Sequence, residues 1–329
     1  MWQALKQHYG QSGVMRNERR EASPFHGHVS SPAVSAGGTN EQAEKEPTMA
    51  IHIVTDSTAC LPQGYAEEHG VTVVPLKVSL DGEYFRDGID IANDEFYRRL
   101  VAGAKAGTTQ PGPEDFVAVY AKLLADPEDE VLSIHISSLV SGTLNSAHAA
   151  AAMTESQRVV LYDSRMVGLA LGFMVMEAVH LAETGATIPD IVAALDAMQP
   201  RTHIYFLIGT MKYLIEGGRI GKAAGVAASI LQIKPILMVK DGIVDVFERP
   251  RTMRTARDRM WALIDQAVVR GIEHIGFHYG ANRVEMEDFQ REFTSRYNLP
   301  SILTKLGPVL GTYSGPDMIG VVIMEKKTP

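Results

Sequence analysis

Three short runs of hydroxyl-bearing residues have the chemistry to hold an anion: Asp56-Ser57-Thr58, Thr108-Thr109-Gln110-Pro111, and Ser137-Ser138-Leu139-Val140-Ser141-Gly142-Thr143. Serine and threonine donate O–H bonds, and a Ser-Gly-Thr turn brings backbone N–H groups close to a ligand because glycine has no Cβ. The same residue types are also the preferred N-caps of helices, so capping accounts equally well for any one run. A cation lies in a fourth segment, Glu216-Gly217-Gly218-Arg219-Ile220-Gly221-Lys222. Taken alone, that segment reads as a glycine helix stop with a basic residue at the helix end.

Other chemistries leave poorer traces. The position after the first apolar run holds Asp56-Ser57-Thr58-Ala59-Cys60 rather than a GxGxxG turn, and no GxxxxGK[ST] occurs, so dinucleotide and P-loop sites are not expected. Ser141, His278 and Asp163 can be drawn as a nucleophile triad, but the Gly-x-Ser-x-Gly elbow is missing. His26 and His28 lie in a polar leader, and His135, His203 and His278 fall on separate predicted strands without HxxxH or HExxH spacing. No metal and no cofactor are predicted.

The elements that must position these runs follow from hydrophobic periodicity. Apolar, β-branched runs at 51–55, 71–80, 131–136 and 158–162 alternate with helical patterns at 93–102, 114–125 and 143–153. Near-continuous apolar strands separated by helices indicate parallel βαβ units buried on both faces. The hydroxyl runs would then sit beyond the carboxyl ends of the strands, where open α/β sheets bind ligands and helix N-termini favour anions. The second half begins with helices at 167–183 and 188–198 and a strand at 203–208. A hairpin follows at 235–247 around Asp241-Gly242, a strong turn signal that implies antiparallel pairing. Short helices are expected at 211–215 and 223–231, longer ones at 252–269 and 282–297, and strands at 274–278 and 319–324. The expected fold is therefore two α/β domains, the first with a mostly parallel sheet and flanking helices, the second with a mixed, antiparallel-rich sheet, and the ligand between them. The divisions fall at 1–48 (a disordered leader), 49–163 and 164–329.

At roughly 150 residues per domain, 329 residues accommodate two such units. The net charge of −8 disfavours nucleic-acid binding. Cys60 is the single cysteine, which excludes an internal disulfide and a cysteine-rich zinc site. The apolar stretch from Met166 to Met176 is interrupted by Glu177 and His180 well short of the roughly 20 residues a bilayer requires. The first residues lack the apolar core of a signal peptide. A cytoplasmic protein is expected. The five basic residues of the leader balance five acidic ones, and regular structure is expected from just after Met49. That makes Met49 the expected start, with the leader a start-site artefact or a dispensable tail.

The order of the motifs is more specific than any one of them. Val54-Thr55-Asp56-Ser57-Thr58-Ala59 with Leu61-Pro62 is followed by Thr108-Thr109-Gln110-Pro111, Ser137-Ser138 with Ser141-Gly142-Thr143 and Ser146-Ala147, Gly217-Gly218-Arg219-Ile220, Lys234-Pro235-Ile236-Leu237, and Gly311-Thr312-Tyr313-Ser314-Gly315-Pro316. This succession resembles the DegV family from Met49 to the C-terminus. The resemblance implies two α/β domains with a long-chain fatty acid buried between them, and no catalytic residues in this chain. It further implies the binding subunit of a bacterial fatty acid kinase, presenting the acyl carboxylate to a separate dihydroxyacetone-kinase-like subunit, with brief membrane contact for lipid exchange. Asp56, Ser57, Thr58, Thr108, Thr109, Gln110, Ser141, Gly142, Thr143, Arg219 and Tyr313 would bind the ligand, with Arg219 at the rim. The family's last motif usually reads Gly-Thr-His-x-Gly-Pro-Gly, whereas here Tyr313 replaces the histidine and Asp317 the final glycine. The alternatives are a stand-alone lipid carrier or sensor, and a serine hydrolase or acyl transferase using Ser141.

Overall fold

A computed structural model describes residues 50–221 and 233–327. The expectations for the leader, Lys222 and the helix at 223–231, with its apolar Val226, Ile230 and Leu231, lie outside the described residues.

The β-branched runs form a first sheet from β1 (Ile51–Asp56), β2 (Thr72–Val74), β6 (Glu130–His135) and β7 (Val159–Asp163). Its order is β2-β1-β6-β7 and every pairing is parallel. Both faces are buried, as a parallel sheet requires. Val54 and Val131 pack with Phe116, Tyr120, Ala147 and Ala150 from the helices Pro113–Leu123 and Thr143–Met153. Ile53, Leu132 and Ile134 belong to the cluster that includes the helix Leu169–Glu183. That helix is apolar almost all round because it is covered on all sides, touching β1 and β6 as well as strands of the second sheet.

The second sheet joins β8 (Thr202–Leu207), β9 (Ile236–Lys240), β10 (Ile243–Glu248), β11 (Ile272–Tyr279), β12 (Ile302–Lys305) and β13 (Ile319–Glu325) in the order β10-β9-β8-β13-β11-β12. All neighbours are antiparallel except β11 and β12. The β9–β10 hairpin turns through Asp241 and Gly242, both with positive φ, as an Asp-Gly turn should. The helices Met253–Arg270 and Arg283–Tyr297 bury Met260, Ile264, Phe289 and Phe293 in a separate core with this sheet.

One expectation is corrected. Residues 71–80, read as one strand, form two strands in different sheets, because Pro75 cannot donate a ladder hydrogen bond and turns the chain. Its second part, β3 (Lys77–Leu80), heads a small antiparallel sheet with β4 (Glu83–Arg86) and β5 (Ala106–Thr109), ordered β4-β3-β5. Val78, Leu80, Phe96 and Leu100 share a core there with Val309 of the helix Pro308–Ser314. A C-terminal helix thus completes a core built from residues 76–100. β4, β5, β12 and this helix are too short for periodicity to reveal in sequence.

Candidate ligand site

Where these sheets meet lies a cavity of about 530 Å³, inside the range of about 300–1,000 Å³ usual for small-molecule sites. Most of its wall is apolar: Ile136 beyond β6, Ile204 and Phe206 on β8, Val244 on β10, Leu306, Leu310 and Met318. One region is polar, and it gathers seven of the residues expected from sequence: Thr108, Thr109, Gln110, Ser141, Gly142, Arg219 and Tyr313.

Each polar side chain is placed by a different element. Thr108 and Thr109 end β5, with Thr108 opposite Val78 and Thr109 opposite Lys77 on β3. Ser141 precedes the helix Thr143–Met153 and its Oγ bonds Thr143 Oγ1 at 2.8 Å. Gln110 Nε2 donates to Ser146 Oγ at 3.1 Å, one turn into the same helix. Tyr313, on the helix Pro308–Ser314, hydrogen-bonds Thr108 Oγ1 through its hydroxyl. The Arg219 guanidinium lies 5.0 Å from the Tyr313 ring centroid, a cation–π distance, and Nε donates to the Val140 carbonyl at 3.2 Å. Tyr313 therefore carries a cation on its face.

Four expected ligand residues do not line this cavity. Asp56, Ser57 and Thr58 sit elsewhere, with their polar atoms already paired. Asp56 Oδ1 accepts from Thr58 N and Oγ1 at 3.0 and 2.5 Å, while Oδ2 accepts from Ile136 N at 2.9 Å and pairs with His135 Nδ1 at 3.0 Å. His135 Nε2 continues to Ser133 Oγ at 2.7 Å, and Ser133 to Tyr120 OH at 2.9 Å, all buried. Burial pushes the Tyr120 hydroxyl up to about 12. Ser57 Oγ donates to Asp87 at 2.7 Å. Asp56 and Ser57 line a second hollow of about 490 Å³ instead. Thr143 is fully buried behind Ser141. A solvated sequence motif and a saturated core network use the same letters, and only the fold separates them.

The triad is not assembled. Leu169 N donates to His278 Nε2 at 2.8 Å, which leaves Nδ1 carrying the proton toward Thr304 Oγ1 at 2.9 Å. Burial holds that imidazole down to about 4, so it is neutral. Asp163 binds Ser138 Oγ at 2.6 Å and Arg165 N at 3.0 Å. His278 still lines the cavity, where it fixes the start of the helix Leu169–Glu183. Gly168 makes that approach feasible, with φ +59° and no room for a Cβ, which would stand 2.8 Å from His278 Nε2.

Sequence reasoning did not assign Ser146, Ser314 or Gly112 to the cavity, although all three line it. Ser146 stands four residues after Gly142 on one helix, so helical spacing was the available signal. Among the described residues no three His, Cys, Asp or Glu side chains group as metal ligands, and no helix is long and apolar enough to cross a membrane.

Fold and cavity together define a class: an α/β protein whose parallel and mixed sheets enclose an apolar chamber closed by hydroxyls. The chain belongs to the DegV family, whose model, described as "Uncharacterised protein, DegV family", matches residues 50–326. Protein DegV of Bacillus subtilis is 33% identical over 277 residues, covering 83% of this chain and 98% of its own. The solved structure of that species' DegV, described as a fatty acid binding protein, superposes with TM-score 0.78 at 30% identity, covering 85% of this chain and all of its own. A Thermus thermophilus DegV family protein, described by its fatty acid binding, superposes with TM-score 0.77 at 34% identity over 84% of this chain and 100% of that one. A stearic acid-binding protein from Eubacterium ventriosum gives TM-score 0.76 at 29% identity, covering 84% of this chain and 98% of its own.

Proposed function

We propose that this protein binds a long-chain fatty acid in the 530 Å³ cavity and presents its carboxylate to a separate kinase subunit for phosphorylation to an acyl phosphate. The observation that carries the reading is the cavity's division into an apolar wall and one hydroxyl-rich region. An acyl chain gains roughly 0.8 kcal/mol per buried CH₂, so the tail supplies affinity and the polar region supplies register. The carboxylate would bind Thr108 or Thr109 and Ser141, with backbone N–H groups at the start of Thr143–Met153 adding their partial positive charge. The two units of the carrier would be 49–163 and 164–329, with the ligand between them.

Arg219 and Tyr313 supply the cation and the donor that a growing acyl phosphate charge requires, in place of an imidazolium. Related structures that bind fatty acids support the first half of the reading, and the unassembled triad weighs against hydrolysis through Ser141. Mass spectrometry of an organic extract of the purified protein should find a fatty acid near one per chain. With a dihydroxyacetone-kinase-like subunit and ATP, the loaded protein should yield acyl phosphate, and Arg219→Ala should lower that yield more than lipid content. An empty extract sinks the lipid reading. Turnover indifferent to Arg219→Ala, with lipid bound, makes the protein a carrier outside any kinase system.

A further inference from the structure

The second hollow contains a buried carboxylate with no part in the function above. Asp87 is 3% exposed, yet it connects three segments that frame the cavity. Its Oδ2 accepts from Ser57 Oγ at 2.7 Å, and Ser57 Oγ in turn accepts from Leu76 N at 3.1 Å. Its own N–H donates to the Leu76 carbonyl at 2.8 Å. Its Oδ1 faces Val309 N at 3.4 Å, the first free N–H of the helix Pro308–Ser314. Leu76, Val309, Leu310, Tyr313 and Ser314 all line the cavity.

The helix needs such a partner. Its N-cap is Gly307, which has no side chain to satisfy the first-turn N–H groups, and Pro308 has no N–H. A Cβ on Gly307 would lie 3.1 Å from Asp87 Oδ1, so the glycine admits a carboxylate supplied from 222 residues away. A negative charge at that end also complements the helix dipole.

We propose that Asp87 is a positioning residue for the polar end of the cavity: its charge caps Pro308–Ser314 and so sets where Tyr313 meets Thr108 and the bound carboxylate. This rests on the reading of the cavity as a fatty-acid site. The Asp56-Ser57 run, which does not reach the ligand, acquires a role here, because Ser57 orients Asp87.

The carboxylate is retained at a cost. Burial, with a smaller push from Asp56, raises the Asp87 carboxyl to about 6, against the pull of the Ser57 and Val309 hydrogen bonds. Because the native value lies above the unfolded 3.8, stability from this group is present below 3.8 and lost as pH rises through 6. A neutral isostere should therefore leave the fold as stable at pH 8, or more so, while removing the cap's charge. The other titratable groups around it are Asp56 at the end of β1, Cys60 beyond it, Glu67, Tyr97 on the helix Asn93–Val101, and Lys305 on β12, which is paired with Asp94. Cys60 is pushed up to about 12 by burial and Tyr97 is raised by burial as well, so neither titrates near Asp87.

The test compares stearate with octadecanol, which shares the tail and lacks the charge, bound to the full-length protein from pH 8 to pH 5. Asp87→Asn should bind stearate about fivefold more weakly than wild type at pH 8, the scale of a lost charge–dipole contact, and octadecanol equally. The two proteins should converge by pH 5 with a midpoint near 6, where wild-type Asp87 takes its proton. The titration of stearate itself is common to both and cancels. Ser57→Ala removes a bond that favours the ionised form and should move the midpoint upward. Identical stearate curves for Asp87→Asn and wild type, or equal losses for both ligands at every pH, would overturn the proposal. If Asp87→Asn does not fold, an unmoved midpoint in Ser57→Ala overturns it. Wild-type protein that takes up neither ligand overturns the fatty-acid reading instead.

Discussion

Asp56 with His135 and Thr108 with Tyr313 are two side-chain pairs formed between distant segments, a carboxylate with an imidazole at the ends of β1 and β6 and a hydroxyl with a phenol on β5 and a short helix. In the first region every carboxylate oxygen is taken: Asp56 serves Thr58, Ile136 and His135, and the chain runs on to Ser133 and Tyr120. In the second, Tyr313 bonds Thr108 and carries Arg219 on its ring face, Ser141 bonds Thr143, and Thr108, Ser141, Tyr313 and Arg219 line a cavity. What separates the two regions is how fully their polar atoms are paired within the core. His278 sharpens the point, since it lines the cavity and yet has both ring nitrogens committed to Leu169 and Thr304.

That contrast can be broken by substitution. The largest effect is expected at Asp56→Ala, which strands His135 and the Ile136 N–H in the core and should cost about 3–5 kcal/mol of stability, read as a lowered denaturant midpoint. A variant that unfolds like wild type would remove Asp56 from the saturated class. Next comes His278. The unfolded imidazole takes its proton near 6.5 and the buried one holds out to about 4, so its stability contribution is lost as pH falls through that window. The loss is of order 3 kcal/mol. Asp87 opposes it from about 6 downward, so circular dichroism between pH 7 and 4 is best followed in Asp87→Asn, where His278→Gln should flatten the acid limb. An unchanged limb would remove His278 from the committed class. The smallest effect on folding is expected at Ser141→Ala: stability should stay near wild type while fatty-acid affinity falls by about 1–3 kcal/mol, the cost of leaving a charged group short of one bond. Unaltered affinity in a folded protein would move Ser141 to the saturated class.

Much of this was legible in the chain. The parallel strands at 51–56 and 130–135 announce themselves through β-branched runs, the β9–β10 hairpin through Asp241-Gly242, and the helix Leu169–Glu183 through its length and apolarity. Seven of the eleven expected ligand residues reach the cavity. What escaped was short or shared. Pro75 divides one apolar run between two sheets, and Pro308–Ser314 is two turns of helix whose N-cap is a glycine and whose Val309 N–H faces the distant Asp87 carboxylate.

Local propensity, periodicity and turn chemistry act within a few residues, and so the sequence by itself determined the elements, the alternating α/β order and the supply of hydroxyls at strand ends. Which hydroxyls line a cavity was decided only by tertiary structure. Ser57 and Ser141 are alike in sequence, each at a strand-to-helix turn, but Ser57 meets a carboxylate 30 residues on while Ser141 meets an apolar cavity closed by Tyr313. A hydroxyl's role depends on whether folding brings it a partner, and the partner of Thr108 lies 205 residues away.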